Sequence, residues 1–352
     1  MAEKPSVLIT GVSGSLGLRL LEQLQNFNVI GVGRHAPVTY ADLIFERIDL
    51  AEERSCEQLV DLMRLHRPEA VVHMAFVASP RGPETAERKR MWLVNVAGTG
   101  RVAEAIAEYN RSSGTIEKFV HLSSAALHRS DSQKAVAEDA LLESQKLSWL
   151  MDKRESELAI QAQVKSLRQC KTYILRPQTY AGVTARNYLI SALRGTPEGK
   201  GRLAERFRRK GSRVPILLPR GPQYLERKQQ VVHLDDMARL VAYILRRKLS
   251  DPQLSIMNVA GRGDPLTIRQ CIQIAQTRVK RLPGKTFSQQ ALRALWGLGL
   301  SSVPPEELGS LLDAGIVNTS RLGVFLGENY RNVIRYTCEA ALADTFMQER
   351  NQ

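Results

Sequence analysis

The sequence predicts an α/β fold in which helices cover both faces of a parallel sheet. Three observations predict it. Short apolar runs alternate with amphipathic stretches through the first half of the chain, a glycine-rich turn follows the first run, and 43% of the 352 residues are hydrophobic. That much apolar chain suffices for one large domain, or for a large domain with a smaller one.

The strands and helices of the first half follow one another in regular alternation. The first apolar run, V-L-I-T, is short and uninterrupted, as expected of a strand that is buried on both faces. Strands are predicted at residues 7–10, 29–32, 44–48, 70–74, 118–122 and 171–176, and helices near 18–25, 55–65, 90–109 and 147–169.

The pattern loosens beyond Pro177. Residues 195–228 are rich in Gly, Pro and Arg, which predicts a subdomain dominated by loops. A strand at 230–233, a helix at 235–247 and a strand at 255–259 then resume the α/β pattern. The remaining tail is predicted to form helical pieces interrupted at Pro283, Pro304 and Pro305.

The glycine-rich turn lies between the first predicted strand and the first predicted helix. Its sequence, T-G-V-S-G-S-L-G, spaces Gly11, Gly14 and Gly17 by three residues each. Glycines permit a tight turn and let the backbone approach a pyrophosphate, while the helix that follows offers N–H donors and a positive dipole end. In this position, at the start of an α/β pattern, the turn predicts a dinucleotide-binding site.

The end of the second predicted strand bears on which dinucleotide binds. A carboxylate there would accept hydrogen bonds from the adenosine ribose, whereas an arginine accommodates a 2′-phosphate. Gly33 stands where the carboxylate is expected, and Arg34 follows it. The sequence therefore favours NADP over NAD, although Arg34 could also be an ordinary surface charge.

The charge of the chain is strongly positive and unevenly distributed. The formal net charge is +14, and residues 186–248 hold 16 Lys and Arg against 5 Asp and Glu. Such a segment attracts phosphorylated ligands, nucleic acid or anionic membrane surfaces, or it is simply a solvated basic face. Within it, the stretch 202–213 contains one aromatic residue, Phe207, which is few for stacking on single-stranded bases.

Other classes of protein are not favoured by the composition. The four cysteines, Cys56, Cys170, Cys271 and Cys338, are far apart, so neither a metal site nor a disulfide framework is predicted. The sequence contains no apolar run of membrane-spanning length and no recognisable signal peptide. We therefore expect a cytoplasmic protein without a membrane span.

Several segments, in this order along the chain, resemble the extended short-chain dehydrogenases/reductases, in particular the NAD-dependent epimerase/dehydratase family. The segments include T-G-V-S-G-S-L-G, V-V-H-M-A-F, N-V-A-G-T, F-V-H-L-S-S-A-A, L-R-P and V-V-H-L-D-D-M-A-R. The resemblance extends over nearly the whole chain. The resemblance implies a Rossmann-type doubly wound parallel sheet with a smaller C-terminal substrate domain.

The resemblance also implies domain limits and a set of site residues. The dinucleotide-binding domain would comprise residues 1–177 with 229–260 returning to it, and the substrate region residues 178–228 and 261–352. The residues implied to bind the cofactor are Gly11, Gly14, Ser15, Leu16, Gly17, Arg34, Asp49, Leu50, Met74, Ala75, Phe76, Asn95, Ser123, Lys153 and Pro177. The family's catalytic serine falls on Ser124, and many relatives form homodimers.

The sequence departs from the family at the catalytic tyrosine. The family's Y-x-x-x-K motif places a phenol and an ammonium on one helix face, and the ammonium lowers the pKa of the phenol toward the working pH. Here W-L-M-D-K puts Trp149 in the tyrosine position and keeps Lys153, while Glu157 supports the alignment. An indole N–H donates a hydrogen bond but does not exchange its proton usefully near neutrality.

Two other side chains could supply the missing acid. His128 follows Ser124 by four residues, and its ordinary pKa lies near neutrality; Asp152 precedes Lys153. His73, His121 and His233 lie in apolar strand runs, which predicts buried structural roles for them.

Two functions remain open from the sequence. The first is an NAD(P)-dependent epimerase, dehydratase or reductase acting on a hydroxyl or carbonyl carbon of a phosphorylated or nucleotide-sugar-like substrate. Arg194, Arg213 and Arg220 are candidates to clamp its phosphates. The second is a catalytically silent NAD(P)-binding sensor or scaffold whose basic segment, 186–248, binds RNA or an acidic partner. Trp149 favours the second function, and the complete set of cofactor motifs favours the first.

Overall fold

Seven parallel strands form the central sheet. A computed structural model describes residues 4–40, 43–78, 85–112, 114–128, 134–142, 147–167, 169–199, 201–248, 250–301, 303–305 and 315–350. The sheet strands are β1 Ser6–Thr10, β2 Asn28–Gly33, β3 Ile44–Arg47, β4 Ala70–His73, β5 Lys118–Leu122, β6 Lys171–Pro177 and β11 Leu254–Val259. Their order across the sheet is β3-β2-β1-β4-β5-β6-β11, which confirms the predicted doubly wound parallel sheet.

The strand residues alternate between two hydrophobic cores, one on each face of the sheet. Val7 and Ile9 contribute to the core beneath α1 (Ser15–Gln23) and α8 (Leu234–Arg246). Leu8, which points to the opposite face, contributes to the second core. That second core is covered by α2 Ser55–His66, α4 Gly98–Ser112 and α5 Ser148–Gln163. Because both faces are covered, the inner strands β1, β4, β5 and β6 are buried along nearly their whole length, whereas β3, at the edge of the sheet, is largely exposed.

One long helical segment crosses from β4 to β5. It begins as α3 (Thr85–Trp92), passes through a π-helical turn (Leu93–Ala97) and continues as α4. Single π turns of this kind are often found at functional sites. A 3₁₀ turn, Ala125–His128, follows β5 and precedes α5.

A smaller region has its own apolar core, and it is more regular than predicted. Residues 195–228, expected to be loop-dominated, include α7 (Arg202–Arg209) and β8 (Ile216–Pro219), whose residues Ile216, Leu217 and Leu218 are buried. The other elements of this region are β7 Thr179–Ala181, α6 Tyr188–Arg194, a 3₁₀ turn Pro222–Tyr224, β9 Lys228–Gln229, β10 Val231–His233, β12 Leu266–Thr267, α9 Ile268–Ala275, β13 Val279–Leu282, α10 Gly284–Gly297 and α13 Cys338–Arg350. α11 Ser320–Leu326, a 3₁₀ turn Gly327–Asn329 and α12 Tyr330–Val333 lie between α10 and α13 in the chain, and the two helices pack instead in the core beneath α1 and α8. β8 is held by parallel pairing with β13, a partner more than 60 residues away, which local composition does not reveal.

The strand order fixes where a ligand can bind. β1 pairs with β2 on one side and with β4 on the other, so the chain leaves the middle of the sheet in two directions. A crevice opens at the carboxyl ends of the strands at such a switch point. Within the described residues, no helix is both long and apolar enough to span a bilayer.

Candidate active site

The glycine turn fits tightly against the end of β4. Gly11 has a φ of +74°, and a Cβ at this position would lie 2.7 Å from the Ala75 nitrogen and 2.9 Å from the Met74 carbonyl carbon. On Gly17, a Cβ would lie 2.2 Å from the Val12 carbonyl oxygen. Side chains are therefore excluded at both positions, and only glycine allows this approach of turn, helix and neighbouring strand.

The first turn of α1 faces the switch-point crevice. Gly14 is its N-cap, and no side chain caps the helix. The first N–H groups of α1 are therefore not satisfied by a capping side chain, which leaves them for an anionic ligand. Ser15 is exposed and its hydroxyl donates to the Thr184 carbonyl oxygen at 3.3 Å, whereas Leu16 is buried in the core.

Two arginines flank the carboxylate that follows β3. Asp49 accepts a hydrogen bond from Arg90 at 2.5 Å and another from the Ala51 nitrogen at 3.1 Å. Partial burial raises the pKa of Asp49, but the Arg90 and Ala51 hydrogen bonds and the charges of Arg90 and Arg34 outweigh it and lower the pKa. Arg34 is exposed beside this carboxylate. The predicted adenosine end therefore carries two guanidinium groups.

Leu50 is buried next to the start of α4. A Cβ on Gly98 would lie 2.9 Å from the Leu50 Cβ, and Arg101 donates to the Leu50 carbonyl oxygen at 2.9 Å. The segment after β3 is therefore held firmly against the long helix.

The segment after β4 forms the centre of the crevice. Met74, Ala75 and Phe76 are all half-buried, and the Ala75 nitrogen donates to the Thr10 hydroxyl at 3.3 Å. These residues lie beside the Gly11 turn, so the structure brings two of the predicted cofactor segments together.

Asn95, in the π-helical turn, is buried and holds two elements together. Its side chain accepts from the Val77 nitrogen and donates to the Val77 oxygen, both at 2.8 Å. It also donates to Asp152 at 2.9 Å, and Arg88 reaches the same carboxylate at 2.6 and 3.0 Å. Asp152 is thus fully buried and paired, which argues against the proton-transfer role considered from the sequence.

The two serines after β5 have different surroundings. Ser123 is buried and its hydroxyl donates to Glu157. Ser124 is half-buried, and its hydroxyl accepts from the Ala126 nitrogen at 3.2 Å, so it caps the 3₁₀ turn. Of the two, Ser124 retains an O–H that can turn toward a substrate.

A buried ionic network fixes the end of β5 against β6. Arg176 donates to Glu157 at 2.5 Å through Nη2, and both side chains are almost fully buried. Its Nη1 also lies 2.6 Å from His128 Nε2 and donates to the Glu138 carbonyl oxygen at 2.8 Å. Pro177, the last residue of β6, is buried and pairs in register with Val259.

His128 is held in the neutral form by this network. Since Arg176 donates to Nε2, the ring proton of a neutral His128 is on Nδ1. Burial and the Arg176 charge lower the pKa of His128 to about 4. His128 therefore does not supply a proton near neutrality, although the sequence allowed it.

Trp149 and Lys153 lie one helical turn apart on α5, as predicted, and both are half-buried. The Lys153 ammonium donates to the Leu122 carbonyl oxygen at 2.6 Å and lies 3.9 Å from the centre of the Phe76 ring. Burial lowers the pKa of Lys153 to about 7, although the Glu157 carboxylate acts in the opposite direction.

Two histidines lie beneath the crevice. His73 is bonded to the hydroxyls of Thr10 at 2.7 Å and Thr99 at 2.8 Å, and His121 stacks on it with 5.5 Å between ring centres. Burial lowers the pKa of His73 to about 3 and the pKa of His121 well below its usual value, and the Lys153 charge contributes to both shifts. The predicted core role of these histidines is confirmed by their burial, as it is for His233.

Sequence reasoning missed the partners that hold the site. Arg88, Arg90 and Glu138 carried no recognisable motif, and each acts on a residue at least 41 positions away. The sequence holds one signal: Arg88 and Arg90 lie within four residues of Trp92. This pattern could have predicted a helix that packs against another element. Trp92 donates to Glu155 at 2.9 Å and so fastens α3 to α5.

The basic segment contains arginines that donate to backbone carbonyl oxygens and many exposed basic side chains, and Arg208 is both. Arg194 donates to the carbonyl oxygens of Ala185 and Val183, and Arg208 to those of Pro197 and Gly199. The exposed basic side chains include Arg186, Arg202, Arg206, Arg209, Lys210, Arg213, Arg220, Lys228, Arg246 and Lys248.

Solved structures of other proteins share this fold. No functionally curated protein matches the sequence. The UDP-glucose 4-epimerase of Thermus thermophilus, solved with NAD, is 18% identical with a TM-score of 0.69 over 98% of this chain and 99% of that one. The UDP-glucuronic acid 4-epimerase of Bacillus cereus, solved with UDP-glucuronic acid and NAD, is 16% identical with a TM-score of 0.66 over 98% of each chain.

A third structure, the Bordetella bronchiseptica enzyme WbmG with NAD, is 13% identical with a TM-score of 0.65 over 99% of this chain and 95% of that one. At these identities the likeness concerns the fold alone. The model of the NAD dependent epimerase/dehydratase family, however, matches residues 7–260, which include every element around the crevice. The chain therefore belongs to the NAD-dependent epimerase/dehydratase family.

Proposed function

We propose that the protein binds a nicotinamide dinucleotide across the carboxyl ends of β1, β4 and β5. The observation that carries this proposal is the approach of Gly11 to Ala75, which leaves a cradle that any Cβ would fill. The uncapped N-terminus of α1 and the glycine spacing suit a pyrophosphate. Met74, Phe76, Ser124 and Lys153 would surround the nicotinamide end.

NADP is the proposed cofactor in preference to NAD. The exposed Arg34 follows β2 where Gly33 leaves no carboxylate for a ribose, and Arg90 lies on the other side of Asp49. Two guanidinium groups at this end suit a 2′-phosphate. The structures compared above were solved with NAD, so NADP would be a feature of this chain.

The proposed activity is that of an epimerase, dehydratase or reductase at a hydroxyl or carbonyl carbon. A bound oxidised nicotinamide would supply a hydride acceptor. Ser124 would bind the substrate oxygen, and Lys153 would hold the nicotinamide ribose. Trp149 would take the place of the family's tyrosine. The predicted substrate region, residues 178–228 and 261–352, would bind a phosphorylated or nucleotide-sugar-like substrate, the class held by the Bacillus cereus enzyme. A homodimer is the proposed assembly, testable by sedimentation.

Fluorescence of Trp149 tests cofactor binding directly. On the proposed arrangement, NADPH binding should quench this indole and sensitise emission from the nicotinamide, and NADH should do so more weakly. Trp92 and Trp296 are the other two tryptophans, so Trp149→Phe is the matched control that should abolish the energy transfer but keep binding. Absence of binding for both cofactors, measured by calorimetry, would contradict the proposal.

A second candidate function is a catalytically silent NAD(P)-binding module with a basic docking surface. The exposed side chains of Arg202, Arg206, Arg209 and Lys210 on and after α7 favour it, as does the indole at position 149. Replacing Arg206, Arg209 and Lys210 by glutamine should then abolish salt-sensitive binding to heparin or RNA. Arg208 is left unchanged because it holds two backbone carbonyls.

Turnover by the parent and by a variant at position 149 distinguishes the two functions. If the family's chemistry has simply been lost, Trp149→Tyr should gain turnover of UDP-glucose or UDP-glucuronic acid. If the parent already converts either compound, the silent module is excluded.

A further inference from the structure

We propose that the amine of Lys153 is itself the acid–base group that exchanges the substrate hydroxyl proton, in place of the phenol that Trp149 displaces. The inference rests on the proposed function and deepens it, since it assigns the proton transfer that the indole cannot perform. Two observations support it. The Lys153 nitrogen is well positioned, and the carboxylates and histidines around it are already bonded or buried.

The other acidic groups of α5 are already bonded. Asp152 is buried between Arg88 and Asn95, and Glu155 accepts from Trp92. Glu157 accepts from Ser123 and Arg176 in the buried network. Asp152 and Glu157 cannot exchange a proton with a substrate without giving up a buried interaction, which costs several kcal/mol, and Glu155 is bonded to Trp92 at the surface.

The histidines near Lys153 are also unsuited to the step. His128, in the 3₁₀ turn, accepts from Arg176 and stays neutral. His73 is bonded on both ring nitrogens to threonine hydroxyls, and His121 stacks beside it beneath the sheet edge. Each is at most 2% exposed, so a substrate in the crevice does not reach them.

The nitrogen of Lys153 has the geometry for the step. One N–H donates to the Leu122 carbonyl oxygen, at the end of the same strand that leads into Ser124. A second side of the ammonium faces the Phe76 ring. An ammonium has three N–H groups, so beside the one on the Leu122 carbonyl oxygen two remain, one for the nicotinamide ribose and one for a substrate oxygen that Ser124 also binds. Neither of the two contacts is a carboxylate, and the amine can therefore lose its proton without leaving a bare anion beside it.

The surroundings of Lys153 allow both protonation states near neutrality. Burial brings the pKa of the ammonium to about 7, and Glu157 is the carboxylate that opposes this shift. A group whose pKa is near the working pH is the most effective general acid or base. A lysine with an ordinary pKa, about 10.4, would remain an ammonium and could not act as the base.

The proposed step balances in both directions. In oxidation, the neutral Lys153 amine would take the hydroxyl proton, and a bound oxidised nicotinamide would supply the acceptor for the carbinol hydrogen and its electron pair, so that the C–O bond becomes a carbonyl. In reduction, a bound reduced nicotinamide would supply the hydride for the carbonyl carbon, and the Lys153 ammonium would give its proton to the oxygen.

Competitive labelling measures the Lys153 amine without any turnover. Trace acetic anhydride is added between pH 5.5 and 10, and acetylation of Lys153 is followed by peptide mass spectrometry against the exposed Lys165 as an internal reference. We expect half-maximal reactivity of Lys153 near pH 7. A midpoint above about pH 9 overturns the acid–base role, whatever the enzyme turns over.

Two variants separate proton transfer from cofactor binding. Lys153→Arg keeps a cation for the ribose but cannot lose its proton, so turnover of UDP-glucuronic acid should fall about 10²- to 10⁴-fold with NADPH affinity within about threefold. Lys153→Ala should regain turnover with added alkylamines, and more with more basic amines. Added guanidinium, a cation that stays protonated, should not restore it. Thermal unfolding checks that both variants fold.

The outcomes distinguish the inference from the proposed function. If the parent binds neither NADPH nor NADH, the proposed function fails and the acid–base role fails with it. If the cofactor binds and Lys153→Arg is as active as the parent, the acid–base role fails alone.

Discussion

The two sides of the crevice are built by different physical means. On the β1–α1 side, the geometry depends on the absence of side chains, because Gly11 and Gly17 have no Cβ and allow backbone to approach backbone. On the β5–α5 side, it depends on buried charges, because Arg176, Glu157, Asp152 and Arg88 hold the strand end, the 3₁₀ turn and the helices together. The first side carries the glycine turn, and the second side carries Trp149, which we propose stands in the place of the family's tyrosine.

This difference indicates how the site could change its chemistry while its fold was kept. Lys153 and Ser124 are each held by contacts with residues other than the one at position 149. Lys153 is held by Leu122 and Phe76, and the turn that carries Ser124 is held by Arg176 through His128. On the proposed assignment, an indole at position 149 would alter the proton chemistry and leave these contacts in place.

Breaking the buried network should have the largest effect on stability. Glu157→Gln leaves the Arg176 guanidinium buried without its counter-charge, so we expect a loss of about 3–5 kcal/mol in the free energy of unfolding. Urea denaturation measures this loss. Glu205→Gln is the matched control, because its ion pair with Arg209 is exposed and should contribute less than about 1 kcal/mol. Equal losses for the two variants would contradict the distinction.

A Cβ on the glycine side should have the next largest effect. Gly11→Ala combines a positive φ with a Cβ 2.7 Å from backbone. We expect a loss of about 2–3 kcal/mol in stability and at least about a 100-fold weaker affinity for NADPH. In the control, Gly100→Ala, the new Cβ meets nothing within 4 Å inside α4, and stability should rise by about 0.5–1 kcal/mol. If Gly11→Ala bound NADPH as tightly as the wild type, the proposal that the Gly11 turn binds the cofactor would be wrong.

The same contrast explains what the sequence could reveal. The glycine turn was predictable because strand, glycines and helix lie within about 20 consecutive residues and each glycine answers a local steric need. The parallel sheet was also predictable, from the alternation of apolar runs and helices. The partners of Asp152 and Glu157 were not predictable, since Arg88 and Arg176 are brought to them only by the folded sheet. The β8–β13 pair was missed for the same reason.

Acid should destabilise the protein through its buried histidines. Burial lowers the pKa of His73, His121 and His128, so each stays neutral in the fold while the unfolded chain takes up a proton below about pH 6.5. Stability present above that pH is therefore lost as the pH falls, by about 1.5 kcal/mol per histidine between about pH 6.5 and 5.

His121→Leu should reduce the loss of stability in acid by the contribution of one histidine. Both ring nitrogens of His121 have no hydrogen-bond partner among the described residues, so an apolar side chain should cost little at pH 7. Thermal unfolding at several pH values provides the measurement. An unchanged pH slope in the variant would show that His121 binds protons equally in the folded and unfolded chains, which would contradict a pKa lowered by burial.

The smallest expected effect concerns the choice of cofactor. Arg34 is exposed, so solvent screens its charge, and Arg34→Ser should weaken NADPH binding by only about fivefold, or about 1 kcal/mol. Affinity for NADH should not change, because NADH has no 2′-phosphate for the guanidinium to meet. Arg293→Ser, at an exposed position on α10, is the control for a general loss of positive charge. Equal weakening of both cofactors would assign Arg34 to the stability of the adenosine end, and the cofactor preference would then have to come from Arg90.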